Sequence, residues 1–150
     1  MKKLYIKDVN NLGKKSNCLL TGWIKSKRTG KQVLFLDMCD STGCIQLVFE
    51  EDTLGNELFD LAKKITAETV IEVSGTIQIN DLKNKEIQVN TFSIISKSIK
   101  HYVPELRGDF DIFDKKYTNQ ILSNRHLYIR NPKLMAIQRF RNLLDRKSVV

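Results

Sequence analysis

The chain has 150 residues, 41% of them apolar, and its 25 Lys and Arg against 17 Asp and Glu give a formal net charge of +8. That apolar fraction is enough for a folded core and excludes wholesale disorder. No apolar run approaches the roughly 20 residues of a transmembrane helix, so no membrane partner is expected. The basic start resembles a signal peptide, but Asp8, Asn10 and Asn11 interrupt any apolar stretch after it, so a cytoplasmic protein is expected.

Three strands and one helix are predicted in the first half of the chain. Apolar residues bounded by turn signals predict strands over 18–28, 33–39 and 44–49. The turns between them are marked by Gly30 and by the run from Asp40 to Gly43. Apolar residues at helical spacing, beginning with Leu54 and Leu58, then predict an amphipathic helix over 54–66.

Two more strands complete the pattern. Residues 69–79 alternate between apolar and polar side chains, and residues 86–95 do so with a slip near Asn90 that predicts a bulge. This β-β-β-α-β-β order matches a five-stranded OB-fold barrel, in which the helix follows the third strand. A split α+β sandwich and an SH3-like barrel are the alternatives.

The pattern changes after the last predicted strand. Residues 97–124 show no sustained period, whereas Pro132 opens a helix with an apolar face that needs a partner. We therefore predict an OB-fold domain over 1–98, a linker or hinge over 99–131 and a C-terminal helix within 132–150.

No catalytic or metal site is predicted in these residues. They contain no paired catalytic carboxylates, metal-ligand cluster, nucleophile–base set or phosphate-binding glycine loop. The three cysteines, Cys18, Cys39 and Cys44, fit no CxxC spacing and cannot all pair. Reduced and mostly packed thiols are expected.

The basic charge is concentrated near the first strand. Residues 1–31 carry a net +8, residues 32–100 a net −5 and residues 101–150 a net +5. Lys25, Lys27, Arg28 and Lys31 crowd around one short segment, and such a cluster attracts polyanions, above all phosphate backbones. A solvated lysine-rich surface is the plainer interpretation.

An aromatic ring is predicted on the outer face of the barrel. In strand 33–39 the parity that buries Leu34 and Leu36 turns Phe35 outward, and the parity of strand 44–49 turns Gln46 outward. A base can stack on an exposed ring, an amide can match a base edge, and Arg28 can bind phosphate or stack. Together these residues favour nucleic-acid binding, although each alone suits an ordinary surface.

The same residues resemble a known family, the N-terminal anticodon-binding OB domains of the aspartyl-, asparaginyl- and lysyl-tRNA synthetases. The similarity extends over nearly the whole chain. Its last part, from Asn124 through the helix after Pro132, resembles the entry into a class II catalytic domain and the leading helix of its motif 1. The matching residues are Gly22-Trp23-Ile24, Arg28, Leu34 to Met38, Asp40, Gly43, Gln46, Val73 to Thr76, Gln88-Val89, Asn124 to Arg130 and Pro132 to Asn142.

The resemblance implies tRNA as the partner and a role for each matching residue. Phe35 would stack on the middle anticodon base, a uracil shared by the tRNAs for aspartate, asparagine and lysine. Gln46 and Arg28 would read the edge of that base or hold its sugar-phosphate, while Glu86 and Gln88 are candidates for reading the outer bases. Less specific phosphate contacts are implied for Lys25, Lys27 and Lys31.

The stretch from Asn124 to Arg130 is most similar to the asparaginyl enzymes, which implies a homodimeric parent that charges tRNA(Asn) with asparagine. ATP and Mg²⁺ are implied only for the catalytic domain. Motifs 2 and 3 are missing from residues 1–150, so this part is expected to be inactive, without a cofactor and monomeric. Cys39 departs from the family, which commonly has Arg before Asp40. The alternatives are an aspartyl-tRNA synthetase domain, a free-standing OB-fold binder of single-stranded nucleic acid and an interaction module.

Overall fold

The computed structural model describes residues 3–9, 11–80, 84–98, 113–129 and 131–147. The chain divides into two compact units, Met1–Tyr102 and Val103–Val150. Of the predicted linker, residues 99–112 and Arg130 lie outside the described residues, as do residues 148–150 of the C-terminal segment. In the described part of the chain, no helix combines the length and the apolar character that crossing a membrane requires.

The first unit is built on a six-stranded sheet that closes on itself. Its strands are β1 (Lys3–Leu4), β2 (Asn17–Thr29), β3 (Val33–Cys39), β4 (Cys44–Glu50), β5 (Val70–Ile79) and β6 (Lys85–Ser96). The sheet order is β1-β2-β3-β4-β6-β5, and β2 pairs with β5 to close the barrel. β4 and β6 pair in parallel, while β2 and β5 are antiparallel. The predicted five-stranded OB-fold barrel is confirmed, with the short β1 added beside β2.

The core follows from the period-two pattern of the strands. Phe49 of β4 and Phe92 of β6 meet edge to face, with ring centroids 5.4 Å apart. The predicted bulge is confirmed, because Ser74 pairs with Thr91 and Gly75 with Val89, so that no residue of β5 lies directly opposite Asn90 in the ladder. The other buried strand residues include Leu20, Ile24, Leu34, Leu36, Met38, Ile45, Leu47, Ile71, Val73, Ile77, Ile87 and Val89.

Strand β2 belongs to both halves of the barrel. Its residues 17–23 pair with β5 and its residues 23–29 pair with β3. A register shift between Ile24 and Ser26 bends the strand just after the point of transfer. At this point Gly22 lies so close to β3 that a Cβ atom would collide with the carbonyl oxygen of Cys39 and would lie 2.9 Å from Cγ of Met38. The absence of a side chain at residue 22 therefore lets β3 approach β2 here.

The predicted helix over 54–66 is wrong in its bounds. Two helices stand there, α2 (Glu51–Leu54) and α3 (Asn56–Lys63). Gly55 separates them with a φ of 77°, a left-handed conformation that glycine adopts without strain. The buried aromatic residue of α3 is Phe59, whereas Leu61 on the same helix is 39% exposed.

The expectation of three reduced cysteines is also wrong. Cys39 at the end of β3 and Cys44 at the start of β4 form a disulfide, and Cys18 is the free cysteine. The hairpin places these two residues directly opposite each other, which a search for CxxC spacing could not detect. Burial raises the pKa of the Cys18 thiol to about 11, so it stays protonated and unreactive near neutral pH.

An N-terminal segment that the sequence did not predict lies against the β3–β4 hairpin. It comprises β1 and the short helix α1 (Ile6–Val9). The Asp40 carboxylate holds it by accepting a hydrogen bond from the Ile6 amide at 2.8 Å, and it also accepts bonds from Thr42 and Gly43 within the turn. Burial raises the pKa of Asp40, but these hydrogen bonds outweigh it and the net pKa is lowered.

The second unit is helical where the structure describes it. A 3₁₀ turn (Lys115–Tyr117) begins at Asp114, whose side chain accepts a hydrogen bond from the Lys116 amide. Two short helices follow, α4 (Thr118–Ser123) and α5 (Arg125–Tyr128), and then α6 (Pro132–Lys147). The C-terminal helix is thus confirmed, while its assignment to a catalytic domain stays a prediction. Its apolar residues Phe140 and Leu143 are 62% and 60% exposed.

Replacing Gly22 by alanine should destabilise the barrel. We expect Gly22→Ala to lower the free energy of unfolding by about 1–3 kcal/mol, because the new methyl group must displace the β3 backbone at Cys39. Thermal and urea unfolding followed by circular dichroism would measure the change. Gly13→Ala is the control, since its Cβ would meet only the Ser16 hydroxyl at 3.9 Å. Equal stability of the two variants would contradict the close approach at Gly22.

The Asp40 carboxylate should contribute to stability only while it is ionised. Because the folded-state pKa of Asp40 lies below its ordinary value of 3.8, its contribution to stability is present above pH 3.8 and is lost as the pH falls through the folded-state pKa. We expect Asp40→Asn to cost about 1 kcal/mol at pH 7, allowing for partial solvent exposure, and to flatten the acid limb of the stability curve. Urea unfolding between pH 7 and pH 2 tests this, with the exposed Asp52→Asn as the control.

Candidate nucleic-acid interface

A row of cross-strand pairs places the predicted site residues on one outer face. Arg28 of β2 lies opposite Phe35 of β3, and Asp37 of β3 lies opposite Gln46 of β4. Gln46 in turn lies opposite Glu86 of β6. Directly opposed residues project to the same side of a sheet, so these side chains share the face that the alternation turns away from the core.

Phe35, Arg28 and Gln46 form one connected group, which we call the aromatic triad. The Phe35 side chain is half-buried. The guanidinium carbon of Arg28 lies 5.8 Å from the centroid of the Phe35 ring, within the range of a cation–π contact. Arg28 Nη2 also donates a hydrogen bond to Gln46 Oε1 at 3.3 Å. Since Arg has only donors, this contact fixes which end of the Gln46 amide faces it, and the NH₂ group of Gln46 is the end available to a ligand.

Acidic groups flank the aromatic triad. The Ser26 hydroxyl on β2 donates to the Asp37 carboxylate, which orients that carboxylate beside Gln46. Glu86 is half-buried next to Gln46 on β6, and its carboxylate makes no hydrogen bond or ion pair within the described residues. A carboxylate accepts hydrogen bonds and repels phosphate, so Glu86 suits the amino edge of a base better than the backbone.

The structure gives Gln88 a place in an internal network. Its Nε2 donates to Glu50 Oε2 at 2.7 Å, and its Oε1 accepts from Gln78 Nε2 at 2.9 Å. The carboxylate of Glu50 can only accept when ionised, which fixes the orientation of the Gln88 amide. Both ends of this amide are therefore engaged within the protein, and Glu86 is the stronger candidate for contact with an outer base.

The three lysines of the basic cluster also differ in whether their ammonium groups are bound within the protein. All three side chains are exposed, and those of Lys25, at the β2 register shift, and Lys31, in the turn before β3, make no hydrogen bond or ion pair within the described residues. Lys27 Nζ instead donates to the carbonyl oxygens of Lys63 and Ile65, each at 2.9 Å, where α3 ends. A cation at a helix C-terminus stabilises the unpaired carbonyls there. Lys27 is thus held in the fold, and we leave it out of the interface.

A cavity of about 340 Å³ adjoins the aromatic triad, and sequence reasoning did not find it. Its polar lining includes Gln46, Asn80 and Asn84, and Cys44 and Ile6 lie in its wall. The N-terminal segment supplies part of this wall, so the cavity is visible only after that segment is placed. Asp40 is the residue from which this segment's position could have been inferred, because an Asp in a turn often accepts hydrogen bonds from neighbouring backbone amides.

The family described as "OB-fold nucleic acid binding domain" matches residues 19–95, more than half of the chain. The chain belongs to this family. It is 30% identical to the asparagine–tRNA ligase of Pelotomaculum thermopropionicum over 97% of its own length and 32% of that protein. It is 29% identical to the asparagine–tRNA ligase of Sorangium cellulosum over 86% of its length and 28% of that protein.

The fold of this OB-fold chain also matches a solved enzyme. The crystal structure of asparaginyl-tRNA synthetase from Pyrococcus horikoshii complexed with asparaginyl-adenylate superposes with a TM-score of 0.78 at 26% identity. The match covers 97% of this chain and 33% of that enzyme. The resemblance to the N-terminal part of asparaginyl-tRNA synthetases is thus confirmed. The chain spans about a third of the length of the relatives it matches.

The Lys27 contacts should matter for stability alone. We expect Lys27→Ala to lower the free energy of unfolding by about 1 kcal/mol, because two carbonyl groups at the end of α3 lose a charged donor. Lys25→Ala, two residues away on the same strand, should change stability by less than about 0.5 kcal/mol. Urea unfolding of the two variants measures both. A larger loss of stability in Lys25→Ala than in Lys27→Ala would show that Lys25, and not Lys27, supports the fold.

Proposed function

We propose that this chain binds the anticodon loop of a tRNA as the N-terminal part of an asparagine–tRNA ligase. The observation that carries the proposal is the aromatic triad on the outer face of an OB-fold barrel. In it a half-exposed ring and a guanidinium meet an amide whose NH₂ group is available to a ligand. The face built from the strands equivalent to β3 and β4 is the usual oligonucleotide surface of this fold. The names of the similar curated proteins support the choice of tRNA as the ligand.

The triad has the chemistry to select a uracil. The base would stack on the Phe35 ring, a contact worth about 1–3 kcal/mol. The NH₂ group of Gln46 would donate to a uracil carbonyl, while cytosine presents an amino group at the corresponding position and would leave two donors facing each other. Arg28, already oriented by Phe35 and Gln46, would hold the sugar-phosphate with its other N–H groups.

The neighbouring charges suit the bases that flank the stacked uracil. Glu86 would accept from the amino edge of an outer base, and the exposed Lys25 and Lys31 would contact phosphates. Lys27 and Gln88 take no part, because their polar groups are bound within the protein. The interface would therefore combine a few oriented contacts with a small electrostatic attraction.

The activity of the complete enzyme follows as part of the same proposal. It would be a cytoplasmic homodimer that joins asparagine to tRNA(Asn) with ATP and Mg²⁺. The described residues contain no group of three or more His, Cys, Asp or Glu that could hold a metal ion. The proposal assigns ATP and Mg²⁺ to the catalytic part of such an enzyme, as the family resemblance implies, and gives residues 1–150 the task of selecting the tRNA.

A binding titration separates this function from its alternatives. We expect weak binding of the anticodon stem–loop of tRNA(Asn), measured by fluorescence anisotropy, and a loss of about tenfold when the middle uracil is replaced by cytosine. Equal affinity for every anticodon would indicate a general binder of single-stranded nucleic acid. Absence of binding at low salt would favour an interaction module.

The ring of Phe35 should matter for binding much more than for folding. We expect Phe35→Ala to weaken stem–loop binding by about 1–3 kcal/mol, because the stacking platform is lost. Its melting temperature should change little, since the ring is only half-buried. Ile95→Ala is the matched control, because this apolar β6 residue is 56% exposed and lies outside the aromatic triad. A large drop in melting temperature for Phe35→Ala would instead place the ring in the core.

A further inference from the structure

The disulfide lies in the same row of cross-strand pairs as the aromatic triad. Along the β3–β4 ladder, Phe35 pairs with Val48, Asp37 with Gln46, and Cys39 with Cys44. All three pairs have the outward parity, so the bridge is the next pair after Asp37–Gln46 on the proposed nucleic-acid face. Cys44 also lines the cavity that adjoins Gln46.

The two sulfur-bearing residues differ in accessibility. Cys44 is exposed, whereas Cys39 is 4% exposed beneath it. The turn between them does not depend on the bridge, because Asp40 accepts hydrogen bonds from Thr42 and Gly43, and its amide bonds to the Gly43 carbonyl. After reduction the two thiols would therefore remain opposite each other, which favours rapid reclosure.

We propose that Cys39 and Cys44 form a reversible thiol–disulfide exchange site on the nucleic-acid face. Cys44 is the sulfur that exchanges with small thiols and disulfides of the glutathione type, and the bridged form is the tighter RNA binder. The part of this proposal that concerns binding rests on the proposed anticodon function. The exchange chemistry does not depend on it.

The exchange is balanced with glutathione as the co-reactant. In oxidation, the Cys44 thiolate attacks glutathione disulfide, forms a mixed disulfide and releases one glutathione thiolate. The Cys39 thiolate then attacks the Cys44 sulfur, closes the bridge and releases the second glutathione thiolate. Two protein thiols lose two electrons and two protons, and one glutathione disulfide becomes two glutathione molecules. Reduction follows the same steps in reverse, with entry at the exposed Cys44.

The redox state of the bridge should affect RNA binding through the position of Gln46. The cross-link fixes β3 against β4 one pair away from Asp37–Gln46, and Gln46 accepts the hydrogen bond from Arg28. A preorganised side chain loses less entropy when a ligand binds. A mixed disulfide at Cys44 would add a peptide with two carboxylates beside Gln46 and repel the phosphate backbone.

The experiment compares the oxidised and reduced forms of the whole chain. Samples equilibrated with glutathione disulfide or with dithiothreitol are assayed for free thiols and mass, and then titrated with the tRNA(Asn) anticodon stem–loop. We expect the mass to differ by two hydrogen atoms and the reduced form to bind about threefold to tenfold more weakly. Cys18→Ala should keep this response, because the Cys18 thiol is buried. The Cys39→Ser/Cys44→Ser double variant should lose it.

Single variants test which cysteine exchanges with glutathione. With glutathione disulfide, Cys39→Ser should accumulate the mixed disulfide at Cys44 and bind the stem–loop more weakly than the same variant left untreated. Cys44→Ser should leave the buried Cys39 unmodified. Modification of Cys39 but not Cys44, or a bridge that neither forms nor opens, would overturn the exchange site.

The two proposals fail in different ways. If the bridge opens and closes but both forms bind the stem–loop equally, the link to binding is overturned and the anticodon function stands. If neither form binds the stem–loop at low salt, the anticodon function is overturned together with that link. The thiol and mass measurements still decide whether the exchange site exists.

Discussion

The bend in β2 is the constraint on which the outer face depends. This strand hydrogen-bonds to β5 over its first half and to β3 over its second half, and its pairing with β5 closes the barrel. Gly22 permits the close approach and the register shift before Ser26 turns the strand. Only after that turn does Arg28 lie opposite Phe35, so the geometry of closure also sets the geometry of the aromatic triad.

The proposed interface would draw its selectivity from oriented groups more than from net charge. Arg28 is the cation that the structure joins to both Phe35 and Gln46, while Asp37 and Glu86 place negative charge on the same face. Lys27, next to Arg28 in the sequence, donates hydrogen bonds to carbonyl oxygens at the end of α3. A surface of this mixed kind attracts a well-placed phosphate and repels a misplaced one, which favours a ligand that also stacks and hydrogen-bonds.

The fold was predictable because apolar and polar side chains alternate along a barrel strand, with the apolar ones facing the core. The strands around Phe35 and Gln46 and the bulge at Asn90 follow from which residues must face the core. The helix bounds did not follow, since the apolar spacing continues across Gly55 and only its backbone conformation breaks the helix. Val48 shares the outward parity of Gln46, yet it is 7% exposed and lies between Phe35 and Gln88 in the sheet.

The sequence by itself determined the order of the strands, the outward parity of Phe35 and Gln46, and the basic segment around Arg28, because these depend on local periodicity and composition. Tertiary structure decided which polar groups remain available. Lys27 and Gln88 look like their exposed neighbours in the sequence, but contacts to residues about 36 and 38 positions away engage them within the protein. The Cys39–Cys44 bridge and the cavity beside Gln46 likewise arise only when the hairpin and the N-terminal segment are brought together in space.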